Sequence, residues 1–182
     1  MCFMFHRKKK AERKPKDVIT PELQHALALS KEGKHEQAYP IYEALYRKKH
    51  NATNMYNLFQ CAVYCGKSDV EKALYKKLKC YSPNPRKEPM ELSGCFVRYS
   101  YAFILCDVGR NSEAVEIVDY LLYVLSHYKI TDPTFLYIRG IPSAQMIYEL
   151  IKMTFINDEV QQKEYKNKLL SLLDDDTKSI IL

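Results

Sequence analysis

The sequence contains no tryptophan, and only five of its 182 residues are glycine and eight are proline. Both residues interrupt helices, so their scarcity favours long helical elements with few turns between them. The five glycines are isolated from one another, which excludes a glycine-rich loop that cradles phosphate groups. Each glycine is better explained by a turn of the backbone at its position.

Long apolar runs are also absent. No stretch approaches 18 consecutive apolar residues, so no membrane-spanning helix is expected. The chain opens with only five apolar residues, and basic residues follow them, whereas a secretory signal has the opposite order and a longer apolar run. We therefore expect a cytoplasmic protein. A disulfide framework is the weaker interpretation of its six cysteines, because no export signal accompanies them.

Positive charge is concentrated at the start of the chain. The whole sequence has a net charge of +6, and the first 16 residues alone account for it, so the rest is neutral overall. Like charges in a cluster usually remain solvated. We expect residues 1–17 to be a basic, disordered tail, whose charges are Arg7, Lys8, Lys9, Lys10, Arg13, Lys14 and Lys16.

Apolar residues recur at helical spacing from residue 20 onward. Thr20 followed by Pro21 is typical of a helix start, and Gly33 is typical of a helix end. Similar patterns predict paired helices on either side of Gly66 and of Gly109. A weaker fourth pair is predicted over residues 143–155 and 158–173, with Asn157 in the left-handed conformation between them.

Two thirteen-residue segments share one pattern. GKHEQAYPIYEAL (33–45) and GRNSEAVEIVDYL (109–121) both place alanine five residues after glycine and leucine at the end. Gly33 and Gly66 are about 33 residues apart, close to the repeat length of about 34 residues known for tetratricopeptide arrays. The spacing from Gly66 to Gly109 is longer, and the proline-rich residues 82–89 account for the excess as a loop.

On these residues the chain resembles the tetratricopeptide repeat (TPR) family. The first unit matches at Ala26, Leu29, Gly33, Ala38, Tyr42 and Leu45. The third matches at Tyr101, Ala102, Leu105, Gly109, Ala114, Val118 and Leu121. The second matches at Leu58, Phe59, Ala62 and Gly66, but carries Glu71 where a small residue is usual.

The resemblance implies an all-α fold, a right-handed α-solenoid of three to four TPR-like antiparallel helix pairs over residues 18–173. Residues 174–182 would be a C-terminal tail. Small residues let paired helices approach closely, and stacked pairs bury the faces that one pair leaves exposed. The alternative is an irregular helical bundle whose residue spacing resembles the pattern but whose helices do not form repeats.

In this family the first helix of each unit lines a concave surface. The resemblance therefore implies a non-enzymatic protein–protein interaction module or scaffold that binds a peptide or a partner helix in an aromatic groove. In this register the groove residues are Leu23, Leu27, Tyr56, Gln60, Val63, Tyr64, Tyr99, Phe103 and Asp107.

Some family members clamp the C-terminal carboxylate of a chaperone with Lys, Arg and Asn side chains. Only Asn57 matches that pattern here. The other four clamp positions hold side chains that cannot bind a carboxylate, so this ligand is not expected; they are Leu23, Leu27, Phe96 and Ser100.

No catalytic, cofactor or metal site is predicted, and no small-molecule substrate. Cys61 and Cys65 are four residues apart, a spacing at which two thiolates could bind one metal ion. No histidine or second cysteine pair lies nearby in the sequence to complete the ligand set. The histidines at 25, 35, 50 and 127 have no carboxylate or nucleophile at a spacing that would indicate a catalytic site. We interpret them as surface or packing residues. The aspartates at 174–176 are interpreted as a solvated helix end.

Two alternatives give the basic residues a role. Cys2, Phe3 and Phe5 beside the basic cluster could attach residues 1–16 to an anionic membrane surface. Nucleic acid is a less favoured partner, because Asp69 and Glu71 interrupt the second basic group. That group consists of Lys67, Lys72, Lys76, Lys77, Lys79, Arg86 and Lys87.

Overall fold

The structure is a computed structural model that describes residues 20–181. The basic tail and its Cys2 lie outside this range. The described part is all-helical, and no strand occurs within it. The helices are α1 (Pro21–Lys31), α2 (His35–Lys48), α3 (Ala52–Tyr64), α4 (Ser68–Leu78), α5 (Gly94–Asp107), α6 (Asn111–Leu125), α7 (Pro133–Tyr137), α8 (Ala144–Thr154), α9 (Glu159–Leu172) and α10 (Asp175–Ile181).

The helix boundary signals act as predicted. The side chain of Thr20 accepts a hydrogen bond from the backbone N–H of Leu23, and Pro21 occupies the first helical position. Helices α1, α3 and α5 each end two residues before a glycine with positive φ: Gly33 (74°), Gly66 (62°) and Gly109 (78°). Only glycine takes this conformation without a steric cost, so the three turns reverse the chain in the same way.

The three turns also share their hydrogen bonds. The N–H of the residue after each glycine donates to a carbonyl five residues earlier: Lys34 to Leu29, Lys67 to Ala62, and Arg110 to Leu105. This bond satisfies a carbonyl that the end of the helix leaves unpaired. The next helix begins one residue later in every case.

The helices pack in neighbouring pairs, namely α1 with α2, α3 with α4, α5 with α6, and α8 with α9. Small residues lie where paired helices approach, and Ala26, Ala38, Ala102 and Ala114 are all fully buried. Helix α2 also packs on α3, and α5 packs on both α3 and α8. One hydrophobic core therefore runs through the stack, from Ala26 to Leu173.

The longer spacing between the second and third glycines has a structural cause. Residues 80–93 form an insertion with one short 3-10 helix, Met90–Leu92. Arg98 donates to the carbonyl oxygen of Lys79 (2.5 Å), and the N–H of Gly94 donates to Tyr81 (2.9 Å). These bonds tie the start of the insertion to α5, into which its other end continues. Helix α4 makes its principal contacts with α3.

The fourth pair is present, but its turn differs from our expectation. Among residues 20–181 only glycines have positive φ, so the left-handed conformation expected of Asn157 is wrong. Helix α8 ends at Phe155 with an ordinary φ of −109°, and Asp158 caps α9 by accepting from the N–H of Gln161. Because these caps close the turn, no left-handed residue is required there.

Two short helices lie outside the predicted pairs. Helix α7 ends in a turn at Gly140, which has a φ of 71°. Helix α10 occupies the segment that we interpreted from the sequence as a C-terminal tail, and it packs against α8. Asp174, which we interpreted as solvated, instead accepts hydrogen bonds from Thr131 and Thr177. None of the helices within the described residues combines the length and apolarity of a bilayer crossing.

Candidate functional site

A groove with a volume of about 640 Å³ opens between the first helices of successive pairs. Its walls are residues of α1, α3 and α5, and α2 contributes His35 and Tyr42. Six of the predicted groove residues line it: Leu27, Gln60, Tyr64, Tyr99, Phe103 and Asp107.

A second groove of about 510 Å³ adjoins the first. The two share Leu27 and Asn57, so they form one continuous depression. Leu23, the seventh of the predicted groove residues, lies in this second part. Lys48 and Lys49, at the end of α2, are at its margin.

The remaining two predicted groove residues take other positions. Val63 is 2 % exposed and belongs to the core, which corrects its assignment to the groove. It lies three residues after Gln60, at the edge of the groove face of α3, where neighbouring helices cover it. Tyr56 does not line either groove. Its hydroxyl donates to Ser100 (2.7 Å) and accepts from Gln60 (3.0 Å), which links α3 to α5 beneath the groove.

His35 is a groove residue that the sequence pattern did not identify. Its ring stacks on the ring of Tyr64, with centroids 4.0 Å apart and planes inclined by 3°. Its Nδ1 atom is buried and has no hydrogen-bond partner within the described part of the chain. Burial lowers the pKa of His35, and the nearby Asp107 carboxylate opposes this effect. Its position at the start of α2 gives no sequence signal for a groove.

Tyr64 stands between His35 and Asp107. Burial, together with a hydrogen bond to the Asp107 carboxylate and its charge, raises the pKa of Tyr64 to about 12. The hydroxyl is therefore neutral at physiological pH. Among residues 20–181, no lysine or arginine forms an ion pair with Asp107. The other charged residue of the groove, Lys31, lies on the α1 wall.

The two cysteines at helical spacing behave as packing residues. Cys61 is 2 % exposed, and its thiol donates to the carbonyl oxygen of His35 (3.2 Å). Burial, with a smaller effect of Cys65, raises the pKa of Cys61 to about 12, so the reactive thiolate is scarce. The described residues contain no cluster of histidine, cysteine and carboxylate side chains that could hold a metal ion.

The positions of the carboxylate clamp do not form a carboxylate site. Phe96 is 5 % exposed and packs in the fold, and Ser100 accepts the hydrogen bond from Tyr56. Of the second basic group, Lys67 is 3.7 Å from the Glu36 carboxylate and Lys79 lies over the ring of Tyr75. Two of its seven members thus have partners within the fold.

The groove can therefore hold apolar side chains against aromatic rings, with the amides of Asn57 and Gln60 available for hydrogen bonds. The chain matches no family model, no curated protein and no solved structure.

Proposed function

We propose that the chain is a TPR-like helical repeat protein, a right-handed α-solenoid, and that it acts as a non-enzymatic interaction module. Its ligand is a segment of another protein, an extended peptide or a partner helix, held in the groove between α1, α3 and α5. The proposal rests on one observation: residues from three separate helix pairs line the same groove, which is rich in aromatic rings.

The repeat interpretation is supported by the three equivalent turns. Gly33, Gly66 and Gly109 share their left-handed φ, their hydrogen-bond pattern and the start of the next helix one residue later. Buried alanines recur at equivalent places in the first and third pairs, at Ala38 and Ala114. Stacked helix pairs of this kind produce curved surfaces that bind extended ligands.

The interpretation of the groove as a binding site is supported by apolar side chains that are exposed within it. Phe103 is 39 % exposed and Leu27 is 36 % exposed, although both face a depression rather than the outer surface. Exposed apolar groups clustered in a groove are typical of interaction sites, whereas single exposed apolar residues need no explanation. Aromatic anchors of this kind usually supply much of the binding energy of an interface.

Replacing both Tyr64 and Phe103 with alanine tests the proposal. Peptides selected from a displayed library by the unaltered chain should bind the double variant at least tenfold more weakly, because two anchors are lost. The matched control replaces two exposed apolar residues outside the groove, Tyr123 and Ile138, which are 64 % and 59 % exposed. Circular dichroism establishes that both variants keep their helicity.

Two results would contradict the proposal. One is a selection that yields no binding peptide. The other is a set of peptides whose affinity falls equally in the groove variant and in the Tyr123 and Ile138 control.

Peripheral membrane attachment is a second candidate function, favoured by the composition of the basic tail. Seven basic residues beside Cys2, Phe3 and Phe5 combine a polybasic segment with a short apolar one. Each basic residue near an anionic surface contributes about 1 kcal/mol. Sedimentation with phosphatidylserine vesicles, compared between the full chain and a chain without residues 1–16, tests this function. Equal sedimentation of the two chains would exclude it.

A further inference from the structure

The α5 wall of the groove carries three functional side chains on one helical face. Tyr99, Phe103 and Asp107 follow one another at four-residue intervals, so their side chains lie in a row along the helix. The rings of Tyr99 and Phe103 have centroids 6.4 Å apart. Tyr64, from α3, lines the same groove and is close enough for the Asp107 carboxylate to raise its pKa. A carboxylate thus lies at the end of a row of aromatic rings.

The charge of this carboxylate is not neutralised within the described residues. Tyr64 lies in the same groove but carries no positive charge. His35, which also lines the groove, has its pKa lowered by burial and is neutral at physiological pH. Cys61 has its pKa raised and is neutral as well. The α5 end of the groove is consequently negative, and Lys31 stands on the opposite wall.

We infer that the α5 wall is a subsite for a cationic side chain, lysine or arginine, of the peptide that occupies the groove. The inference rests on the proposed function. A guanidinium or ammonium group would pair with the Asp107 carboxylate while it lies against the faces of Phe103 and Tyr99, an arrangement that aromatic rings favour electrostatically. Negative charge on the peptide at this place would be repelled.

Three small probes of equal size and different charge test the inference without knowledge of the partner. Phenethylguanidinium, phenethylurea and 3-phenylpropionate each present one ring and one polar group. Their dissociation constants for the full-length chain can be measured from chemical-shift changes in ¹H–¹⁵N spectra. We expect the guanidinium to bind about fivefold more tightly than the neutral urea. An exposed ion pair and a cation–ring contact would each stabilise its complex by a modest amount. The carboxylate should bind most weakly.

The Asp107→Asn variant should abolish the preference for the guanidinium over the urea. Asp69→Asn is the matched control, since it removes an exposed carboxylate of α4 that lies outside the groove. It should keep the fivefold preference. Because exposed ion pairs are screened by salt, the preference in the unaltered chain should also shrink at high ionic strength.

The outcomes separate this inference from the proposed function. If the urea binds in the groove but the guanidinium binds no more tightly, the groove remains a ligand site and the cation subsite is overturned. If none of the three probes shifts groove resonances, the proposed function fails with it. If replacing the seven basic residues of the tail with glutamine tightens guanidinium binding tenfold, the chain's own tail supplies the cation, and a partner's side chain is excluded as the usual occupant.

Discussion

Arg110 binds the buried carboxylate of Glu71 with two hydrogen bonds, although 39 residues separate them in the sequence. The bonds measure 3.1 and 3.0 Å, and the hydroxyl of Tyr101 donates to the same carboxylate at 2.5 Å. Glu71 is 1 % exposed and stands five residues after Gly66, where the first and third pairs place a buried alanine. A charged group thus joins α4 to α5 and to the turn before α6, and α4 otherwise packs chiefly on α3.

Removing Arg110 should destabilise the fold strongly. Arg110→Ala leaves the Glu71 carboxylate buried with Tyr101 as its one remaining donor, which costs about 3 kcal/mol for a buried pair of this kind. Urea unfolding followed by circular dichroism measures the loss. Arg47→Ala is the control, because Arg47 forms an exposed pair with Glu43 and its loss should cost about 0.5 kcal/mol. Equal losses in the two variants would refute this account of Glu71.

Adding Glu71→Ala to Arg110→Ala should recover part of the lost stability. The double variant no longer buries an unpaired charge, and it restores the alanine found at the equivalent places in the other pairs. Its loss of unfolding free energy should be at least about 1 kcal/mol smaller than the sum of the two single losses. Additive losses would mean that the two side chains are energetically independent.

Alanine should be tolerated better at Gly33 than at Gly140. Both glycines have positive φ, which costs an alanine about 1 kcal/mol. A Cβ at Gly33 would meet open space, whereas at Gly140 it would lie 2.5 Å from the Cβ of Ser93. Ser93 also donates to the carbonyl oxygen of Gly140 and caps α5. We expect Gly140→Ala to lose about 3 kcal/mol in urea unfolding. Similar losses at both sites would contradict the close packing at Gly140.

The burial of Tyr64 beside the Asp107 carboxylate should affect the alkaline stability of the protein. Its folded pKa of about 12 exceeds the usual value of 10.0, so the folded state favours the neutral phenol. The resulting stability is fully present below pH 10 and is lost as the pH rises towards 12. The unfolding free energy of the unaltered chain should fall more between pH 9 and 11.5 than that of Tyr64→Phe. Parallel profiles for the two proteins would refute the shift.

Acid should release the C-terminal helix α10. Hydrogen bonds from the N–H groups of Thr131 and Thr177 hold the pKa of Asp174 well below its usual 3.8. A depressed carboxyl pKa stabilises the fold above the usual value, and this stability is lost as the pH falls through the folded pKa.

At neutral pH the same cap can be removed by mutation. Asp174→Ala should accelerate amide exchange in residues 177–179 about tenfold, since the helix cap and the bonds to Thr131 are both lost. Asp175→Ala is the control, because that side chain is 99 % exposed. Equal exchange in both variants would show that Asp174 does not hold α10.

Local patterns predicted the helices well because their signals are local. Thr20 and Pro21 start α1, and Gly33, Gly66 and Gly109 end their helices, because capping involves residues within one turn of each other. The groove was predicted in part for the same reason. The register implied by the TPR resemblance assigned Tyr99, Phe103 and Asp107 to the groove, and their four-residue spacing places them on one face of α5. The assignment of Val63 failed because helical spacing places it at the edge of a face, and only the neighbouring helices decide what they cover.

By itself, the sequence determined where the first three helix pairs turn, that the helices are paired, and which small residues let them approach. Only the tertiary structure decided that Glu71 is buried, that His35 stacks on Tyr64 in the groove, and that Asp174 fixes a final helix. Each of these features depends on partners 29 to 43 residues apart in the chain. Helical periodicity describes one segment at a time, whereas the position of a distant partner follows from how complete helices pack.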